Sequence, residues 1–579
     1  MSKKLLFNNL GGPKPSVMLI ASYTATKSGV IPSFGTPFEY KLTETDNGDG
    51  TYNVRITADS IPDTISMYAY SNITHLYAAD AKRLSFGNCK QVISPPVCGN
   101  NVVNMYQAYF YCVKLTGSPA CGPNVVNMHQ TYFNCSNLSG SPACGDNVKD
   151  MVSTYYNCSN LTGSPVCGNN VTNMHSTYSQ CRNLTGSPVS GPNVVNMHQA
   201  YHDCRNITGS PACGPNVTVM SSTYYNCYNL TGAPVCGPNV EDMAYAYAYC
   251  NNLTGPAACG DNVTNMYWAY YQCKNITSQP VCGDKVKDMR SAYHTCYNLT
   301  GQPVCGPNVT DMLATYASCI NLTGSPVCGN NVINMVATYC NCYNLTGQPA
   351  CCDKVTNMYQ TYYNCYNLTG GLYIHNKVKN AAELFDYCVN ITGPFYIGSN
   401  VTNAYRTFGY CTNLCGNIYL AANEAYTGSF LRNTNSNIEK NIYVHKNSNT
   451  LANLINPNAG ASIFYNASSW EDQLATHNRY YAASKLTSVY PVDDVERAYK
   501  ENELSFVTYE SNDASLAPLQ VLGANKGFEI FATNLGNGMY RINACKNNAQ
   551  DVVNYVQFSQ MSKLHKIINI TNSIDSLAN

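Results

Sequence analysis

The chain has 579 residues with 33 Lys+Arg against 33 Asp+Glu, a net charge of zero, and only 11% of its residues are charged. That balance excludes the electrostatic attraction on which nucleic-acid and anionic-membrane binding rest, while 45% apolar residues is enough for a substantial core. Beside only 2 Trp there are 48 Tyr and 30 Cys, a usage that points to something periodic.

The N-terminus, MSKKLLFNNLGGPKPSVMLIASYTA, breaks its short apolar run with Asn, Gly and Pro, so neither a standard secretory signal nor a membrane span is expected. Residues 1–60 read as a β-rich anchoring or capping module, because Asn47-Gly48 and Asp49-Gly50-Thr51 lie between alternating segments and predict a hairpin. Residues 61–88 read as a degenerate entry coil that opens a solenoid spanning 61–420.

Within that span the chain repeats every 23 residues. Met recurs from Met105 through Met128 and Met151 to Met358, and Ala381 and Ala404 keep its register. One cysteine column runs from Cys89 and Cys112 to Cys411, and another from Cys98 and Cys121 to Cys351, interrupted by Ser190. Tyr109, Tyr132 and Tyr155 lead an aromatic column to Tyr362, followed by Phe385 and Phe408; Val102 to Val401 and Leu115 to Leu414 form two more. Columns that stay apolar belong to an interior shared by stacked coils, about fourteen of them, none of which could close a core alone. The V-x-x-M-x-x-x-Y-x-x-C spacing follows helical periodicity and predicts a short helical turn or two on one flank. The N-L-T-G-x-P-x-C-G that follows predicts a short extended segment with tight corners. The expected fold class is an α/β repeat solenoid with short helical turns and short strands, flanked by nonrepetitive β-rich or mixed modules.

Asn262, Val263, Thr264, Asn265 and Met266, then Tyr270, Cys273 and Ile276, resemble the units N-V-T-N-M-x-x-M-F-x-x-C-x-x-L-T of the BspA-like surface leucine-rich repeats, the treponemal 23-residue class. Lys354 departs from the opening Asn, although Val355, Thr356, Asn357 and Met358 follow the pattern, and Gly163 to Cys167 replaces the alternating Leu or Ile of the family's strand half. The resemblance spans residue 85 to about 420 and implies irregular leucine-rich-repeat coils, a scaffold of adhesins and other binding proteins.

The cysteines admit three readings: a disulfide framework, a metal array or an apolar ladder. Because they obey the repeat, and because Ser190 replaces a column member without removing an obvious partner, buried free thiols are favoured over disulfides and over metal, and no cofactor is expected. His129, His175 and His198 share a column that elsewhere holds Tyr106, Val152, Ser221 and Leu313, which favours surface variation over a metal site. Asn137, Asn160, Asn183, Asn206, Asn229 and Asn252 open Asn-x-Thr/Ser triplets, formal glycosylation acceptors, yet their fixed place before the Leu column favours hydrogen bonding along a corner.

With the core columns assigned, some of the remaining tyrosines must face outward. Tyr156, Tyr225 and Tyr271 follow the aromatic column, Tyr106, Tyr267 and Tyr359 follow Met, and Tyr228, Tyr297, Tyr343 and Tyr366 follow Cys. Together they are the candidate contact face, since Tyr offers a broad ring and a hydroxyl at low entropic cost.

Residues 421–454 read as degenerate coils, with NIYL at 417 and NIYVHKN at 441; residues 455–579 read as a mixed module that caps, oligomerises or binds, with a helix near 493 to 504. No Walker A, G-x-G-x-x-G, H-E-x-x-H or G-x-S-x-G motif occurs, and adjacent Asp493 and Asp494 do not establish the opposed carboxylates of a glycan-cleaving site, so no enzyme is expected. The expected function is a noncatalytic virion structural protein of a phage, a fibre, tail-associated or head-decoration component whose solenoid surface serves host adhesion or assembly. The alternative is a bacterial or protist cell-surface adhesin, with a glycan-cleaving enzyme the third and least favoured reading. Expected partners are other virion proteins or a host-surface protein or glycan, with a homo-oligomer through a terminal module and neither nucleic acid nor membrane insertion.

Overall fold

A computed structural model describes residues 17–432, 434, 438, 440–450, 463–464, 479–482, 487–517, 520–521, 528–546, 555–558, 560–570 and 576–578, so most of the segment read for a secretory signal lies outside the described residues. Two compact units are present, Met1–Val309 with Ser318–Ile320, and Thr310–Ala317 with Asn321–Asn579.

Six strands open the first unit: β1 (Met18–Ala25), β2 (Lys41–Asp46), β3 (Tyr52–Ala58), β4 (Thr64–Ser66), β5 (Ile73–Ala79) and β6 (Arg83–Ser85). β2 and β3 pair as the hairpin expected from the sequence. Its turn is held by Asp46, which accepts from the Gly48 N–H at 2.8 Å, and by Asp49, which accepts from the Thr51 N–H at 2.9 Å. The antiparallel sheet has the order β2-β3-β1-β5. β5 also forms the wall of the first coil, where Ile93 N–H donates to the Thr74 carbonyl and Gly99 N–H to the Ala79 carbonyl. β4 and β6 begin the parallel stacking.

From β6 onward successive coils meet through single parallel bridges, Arg83 with Asn104, Asn104 with Asn127, and so on to Asn265 with Asp288. Val102, Met105, Tyr109, Cys112, Leu115 and their equivalents are buried, so the core columns are those the period predicts. The Tyr rings stack coil on coil, Tyr109 on Tyr132 at 5.5 Å and 8°. Each hydroxyl also makes two bonds to the opposite wall: that of Tyr132 donates to the Ala120 carbonyl at 2.6 Å and accepts from the Ala120 N–H at 3.0 Å. Pro119, next to Ala120, has no N–H, and in this wall the tyrosine hydroxyl takes the place of a strand partner. Gly122 lets the wall close up, since a Cβ there would lie 2.7 Å from the Gly99 carbonyl oxygen of the preceding coil.

The helical turns predicted for the other flank do not form. From Met105 to Cys112 the Ala108, Phe110 and Cys112 N–H groups donate three residues back, while those of Met105, Gln107, Tyr109 and Tyr111 donate forward to the Asn127, His129, Thr131 and Phe133 carbonyls of the next coil. Gln107 and Tyr111 are left-handed, with φ of 55° and 58°, and the same two positions are left-handed in every coil through Arg406 and Tyr410. A left-handed residue at every fourth position interrupts a right-handed helix and turns alternate N–H groups toward the next coil. The helix-like spacing is therefore the signature of a wall of turns, and the α/β class is corrected to a solenoid of turns, bridges and strands.

In the second unit the same turn wall recurs, with bridges from Asp311–Asn334 to Asn403–Tyr426. Its opposite wall is still hydroxyl-held at Val327 and Ala350, by Tyr339 and Tyr362, and is strand from Leu372 onward: β7 (Leu372–Ile374), β8 (Phe395–Ile397), β9 (Ile418–Leu420) and β10 (Lys440–His445) stack in parallel. With β11 (Ile463–Phe464), β12 (Arg479–Ala482) and β13 (Thr487–Val492) they form a sheet of order β11-β12-β13-β10-β9-β8-β7. Two columns change together here. Leu372, Phe395 and Ile418 replace the wall Pro, and Phe385 and Phe408 replace the ladder Tyr, because a paired strand satisfies its own backbone and needs no hydroxyl.

Helix α1 (Val495–Tyr499), capped by Asp494, which accepts from the Arg497 N–H at 3.0 Å, runs into a π turn over Lys500–Leu504, matching the helix predicted there. Tyr499 packs on Tyr373, Tyr396 and Tyr419 of β7, β8 and β9. Beyond it lie β14 (Ser505–Ser511), β15 (Gln520–Val521), β16 (Phe528–Gly536), β17 (Met539–Lys546), β18 (Tyr555–Gln557), β19 (Leu564–Ile570) and β20 (Ser576–Ala578), in sheets of order β16-β17-β14-β19 and β15-β18-β20.

Candidate contact face

On the turn wall Met105, Ala108, Tyr109 and Cys112 are buried, which leaves positions 106, 107, 110 and 111 and their equivalents on the outer surface. These columns commonly stack on themselves. Gln107 donates to Gln130 at 2.8 Å, Asn157 donates to Asn134 at 2.7 Å, and Phe110, Phe133 and Tyr156 lie ring on ring at 5.1 and 4.6 Å. Rings stacked in this way cover one another's faces.

The pattern changes at Tyr225. In the coil Met243 to Cys250, Ala248 stands where both neighbouring coils carry Tyr225 and Tyr271, Ala244 stands where the next coil carries Tyr267, and Tyr245 and Tyr249 occupy the left-handed positions instead. Trp268 takes the left-handed position in the next coil, beside Tyr267 and Tyr271. The rings here meet diagonal neighbours edge to face. Tyr225 meets Tyr249 at 5.4 Å and 72°, Tyr245 meets Tyr267 at 5.1 Å and 78°, and Tyr249 meets Tyr271 at 5.3 Å and 65°. Trp268 lies on Tyr271 at 3.9 Å, and Arg290 sits over Tyr267 at 4.6 Å. His202 stacks on Tyr225 at 4.8 Å and His294 meets Tyr271 at 5.0 Å, bounding the two ends. All these side chains are half-buried. Burial lowers the His202 and His294 pKa values, and burial together with the Tyr267 hydroxyl pushes Tyr245 up to about 12. The patch is thus neutral apart from Arg290 and its Asp288 partner at 2.6 Å.

Of the tyrosines predicted from sequence, the structure brings together Tyr225, Tyr267 and Tyr271. Tyr106 stacks on His129 and Tyr156 on Phe133, at other coils of the same wall. Tyr228 lies beside Arg205 at 5.5 Å and Tyr297 beside Lys274 at 5.9 Å, in the column past the Cys. Tyr343 and Tyr366, stacked at 5.0 Å, and half-buried Tyr359 belong to the second unit. Sequence reasoning missed Tyr245, Tyr249 and Trp268. The signal for them was the pair Ala244 and Ala248, small residues where the next coil places Tyr267 and Tyr271.

The 30 cysteines are all free. The column from Cys89 to Cys411 is buried, each thiol donating to a backbone carbonyl of the preceding coil, as Cys135 does to Tyr109 at 3.0 Å. The Cys98 column is only half-buried, which corrects the expectation of two buried ladders; its sulfurs instead accept from the next coil, as from the Gly122 N–H at 3.1 Å. Burial pushes Cys98 up to about 12 and Cys112 well above the usual thiol range, so these sulfurs stay protonated and unreactive. His175 and His198 stack at 5.0 Å, His129 faces Asp150 at 3.6 Å, and among the described residues no three His, Cys, Asp or Glu side chains converge as a metal site. The amides of the Asn-x-Thr column bond unevenly: Asn229 reaches Asn206 at 3.4 Å, whereas Asn413 donates to Asn390 at 2.9 Å and Asn367 to the Tyr343 carbonyl at 3.0 Å. A tighter asparagine ladder lies elsewhere, where Asn124 donates to the Asn100 carbonyl at 2.8 Å and its equivalents repeat the bond.

No protein-family model and no curated protein matches the chain. It is similar to a leucine-rich repeat protein from Bacteroides ovatus, at 14% identity and a TM-score of 0.38 over 71% of this chain and 94% of that one. It is also similar to a leucine rich cell surface protein from Faecalibacterium prausnitzii, at 14% identity and a TM-score of 0.29 over 63% of this chain and 96% of that one. The expected virion location and phage structural role are corrected by these matches, one described as a cell surface protein and neither as part of a virion. No ligand, partner or residue role passes from them to this chain. Among the described residues no helix is long and apolar enough to cross a membrane.

Proposed function

We propose that this protein is a noncatalytic adhesive solenoid of a bacterial cell surface, a BspA-like surface repeat protein in kind, and that the patch centred on Trp268 is its contact face for a macromolecule on a facing surface. The observation that carries this reading is the aromatic patch itself: Tyr225, Tyr245, Tyr249, Tyr267, Trp268 and Tyr271 gather half-exposed on one wall, where the self-covering ladder gives way. Tyr, Trp and Arg dominate binding hot spots because they give large contact area with little conformational freedom to lose. Tyr106, Tyr156 and Tyr297, on outward columns of the same unit, are read as flanking contacts.

The test is adhesion of the fluorescently labelled protein to bacterial and epithelial cells. Trp268→Ala with Tyr271→Ala should weaken binding at least about tenfold, the size expected for hot-spot truncation, while Tyr343→Ala leaves it near wild type. Wild-type adhesion by the double variant, with its circular dichroism unchanged, would remove the patch from the proposal.

A further inference from the structure

Immediately beside the patch lies a second constellation that the aromatic face does not use. Arg182 and Arg205 are one repeat apart and so stand on adjacent coils in the column after the Cys. Both donate Nε to one carboxylate: Arg182 to Asp203 at 2.9 Å and Arg205 to Asp203 at 2.7 Å. The Asp203 side chain is only 8% exposed, whereas those of Arg182 and Arg205 are 50% and 41% exposed. Asp203 also accepts from Asn226 Nδ2 at 2.6 Å, which fixes it from the next coil. It occupies a left-handed position, φ 61°, where equivalent residues include Asn157, Gln180 and Asn226; it is the one acidic residue in that column. Burial raises its pKa, but the Arg205 and Arg182 guanidiniums outweigh burial and hold it below the usual carboxylate range, so it stays charged.

Only Nε of each guanidinium is bonded to the one carboxylate, so the Nη donors are left for a further acceptor, with one positive charge in excess. That is a preorganised fork for a single oxyanion, whose planar or tetrahedral oxygens match parallel N–H donors. The surroundings indicate what carries the oxyanion. The Tyr228 ring lies 5.5 Å from the Arg205 guanidinium in the same column, and exposed Asn183 and Asn206 follow the two arginines directly. An aromatic face takes the apolar face of a pyranose, and side-chain amides, which donate and accept at once, pair with its hydroxyls.

We propose that Asp203, Arg182 and Arg205 form a binding site for the carboxylate or sulfate group of an acidic oligosaccharide, with Tyr228, Asn183 and Asn206 seating its sugar ring. The site is separate from the aromatic patch, and its failure leaves that reading untouched.

The experiment is titration of the full chain with a sulfated hexasaccharide, a polygalacturonate hexasaccharide, an uncharged hexasaccharide and a polyglutamate peptide. One acidic saccharide should bind, the uncharged one should not, and Arg182→Lys with Arg205→Lys should weaken binding roughly tenfold although the charge is kept, because the fork is lost. Asp203→Asn separates preorganisation from bulk charge: it adds positive charge, yet the site predicts weaker binding because both forks lose their anchor. The exposed lysine variants serve should Asp203→Asn fail to fold. Lysine variants that bind as wild type, tighter binding by folded Asp203→Asn, polyglutamate bound as tightly as the saccharide, or loss on Trp268→Ala rather than on the arginine changes would each overturn the proposal.

Discussion

Replacing Tyr224 by Phe removes one oxygen atom and should be felt on the far side of the coil. The Tyr224 hydroxyl donates to the Ala212 carbonyl at 2.6 Å and accepts from the Ala212 N–H at 3.0 Å. Pro211 precedes Ala212 and offers no donor of its own, so the change leaves a backbone donor and a backbone acceptor without their partner. An unsatisfied buried polar group costs about 1–3 kcal/mol; because Ala212 is half-buried and water reaches part of this wall, about 2 kcal/mol is expected for the pair. Repeat proteins unfold locally, so amide hydrogen exchange is the suitable assay: the Ala212 amide should lose roughly thirtyfold in protection while that of Ala350, held by Tyr362, is unchanged. The converse variant, Phe408→Tyr, should also destabilise by about 1–3 kcal/mol, since Tyr396, twelve residues back, is already paired in β8 and the new hydroxyl meets no free backbone group. Unaltered protection at Ala212 in Tyr224→Phe, or a stabilising Phe408→Tyr, would refute the argument that hydroxyl and strand substitute for one another.

Met220 is fully buried, so Met220→Asp should destabilise by about 3–5 kcal/mol through an unpaired interior charge, read as a lower urea midpoint or loss of soluble protein; unchanged unfolding would contradict the core assignment. Reductant should leave thermal unfolding unchanged, because the cysteines are free, and a large drop would reveal bridges. Under timed alkylation Cys415, which is exposed, should react before the buried ladder, where burial holds Cys112 and Cys158 well above the usual thiol pKa. Burial raises Asp386 to about 6, against the partial compensation of Arg406. A carboxylate raised above its unfolded value binds protons more tightly when folded, so its unit should gain stability as pH falls from about 6 to 4. Relative to the wild type, Asp386→Asn should lose that slope in urea titrations at a series of pH values.

The period of 23 made the core legible, since a residue that must be apolar in every coil can only face the shared interior. What periodicity could not separate was a helix from a wall of turns, because both return side chains to one face at intervals of three and four. The distinction lay in residues between the core columns. Asn134, Asn157 and Asn226 tolerate the left-handed conformation better than the helix formers a true helix would place there. The aromatic patch was half legible for a related reason. Reading columns singly finds Tyr225, Tyr267 and Tyr271, but the patch depends on which neighbours are missing, and Ala244 and Ala248 matter by the room they leave. The arginine fork needed the spacing of Arg182 and Arg205 to be read together with Asp203, across two columns and two coils.

On the turn wall the four bonds that each coil sends forward, as from Met105, Gln107, Tyr109 and Tyr111, all run from N–H to the carbonyl of the following coil. Between parallel strands the bonds run both ways and their dipoles largely cancel; here they add. One bond per coil runs back, as from the Val126 N–H to the Val103 carbonyl at 2.9 Å, but the four forward bonds outnumber it, so within each unit the wall carries a net dipole whose two ends are opposite in sign, as those of a helix are. The end nearer the N-terminus presents acceptors and the other end presents donors, so the closures they need are chemically different. Duplicating a coil in the same sense lengthens the array without disturbing any bond, whereas setting two such arrays head to head would oppose like with like. The gene can therefore grow by tandem copying while the protein resists end-to-end mirror pairing.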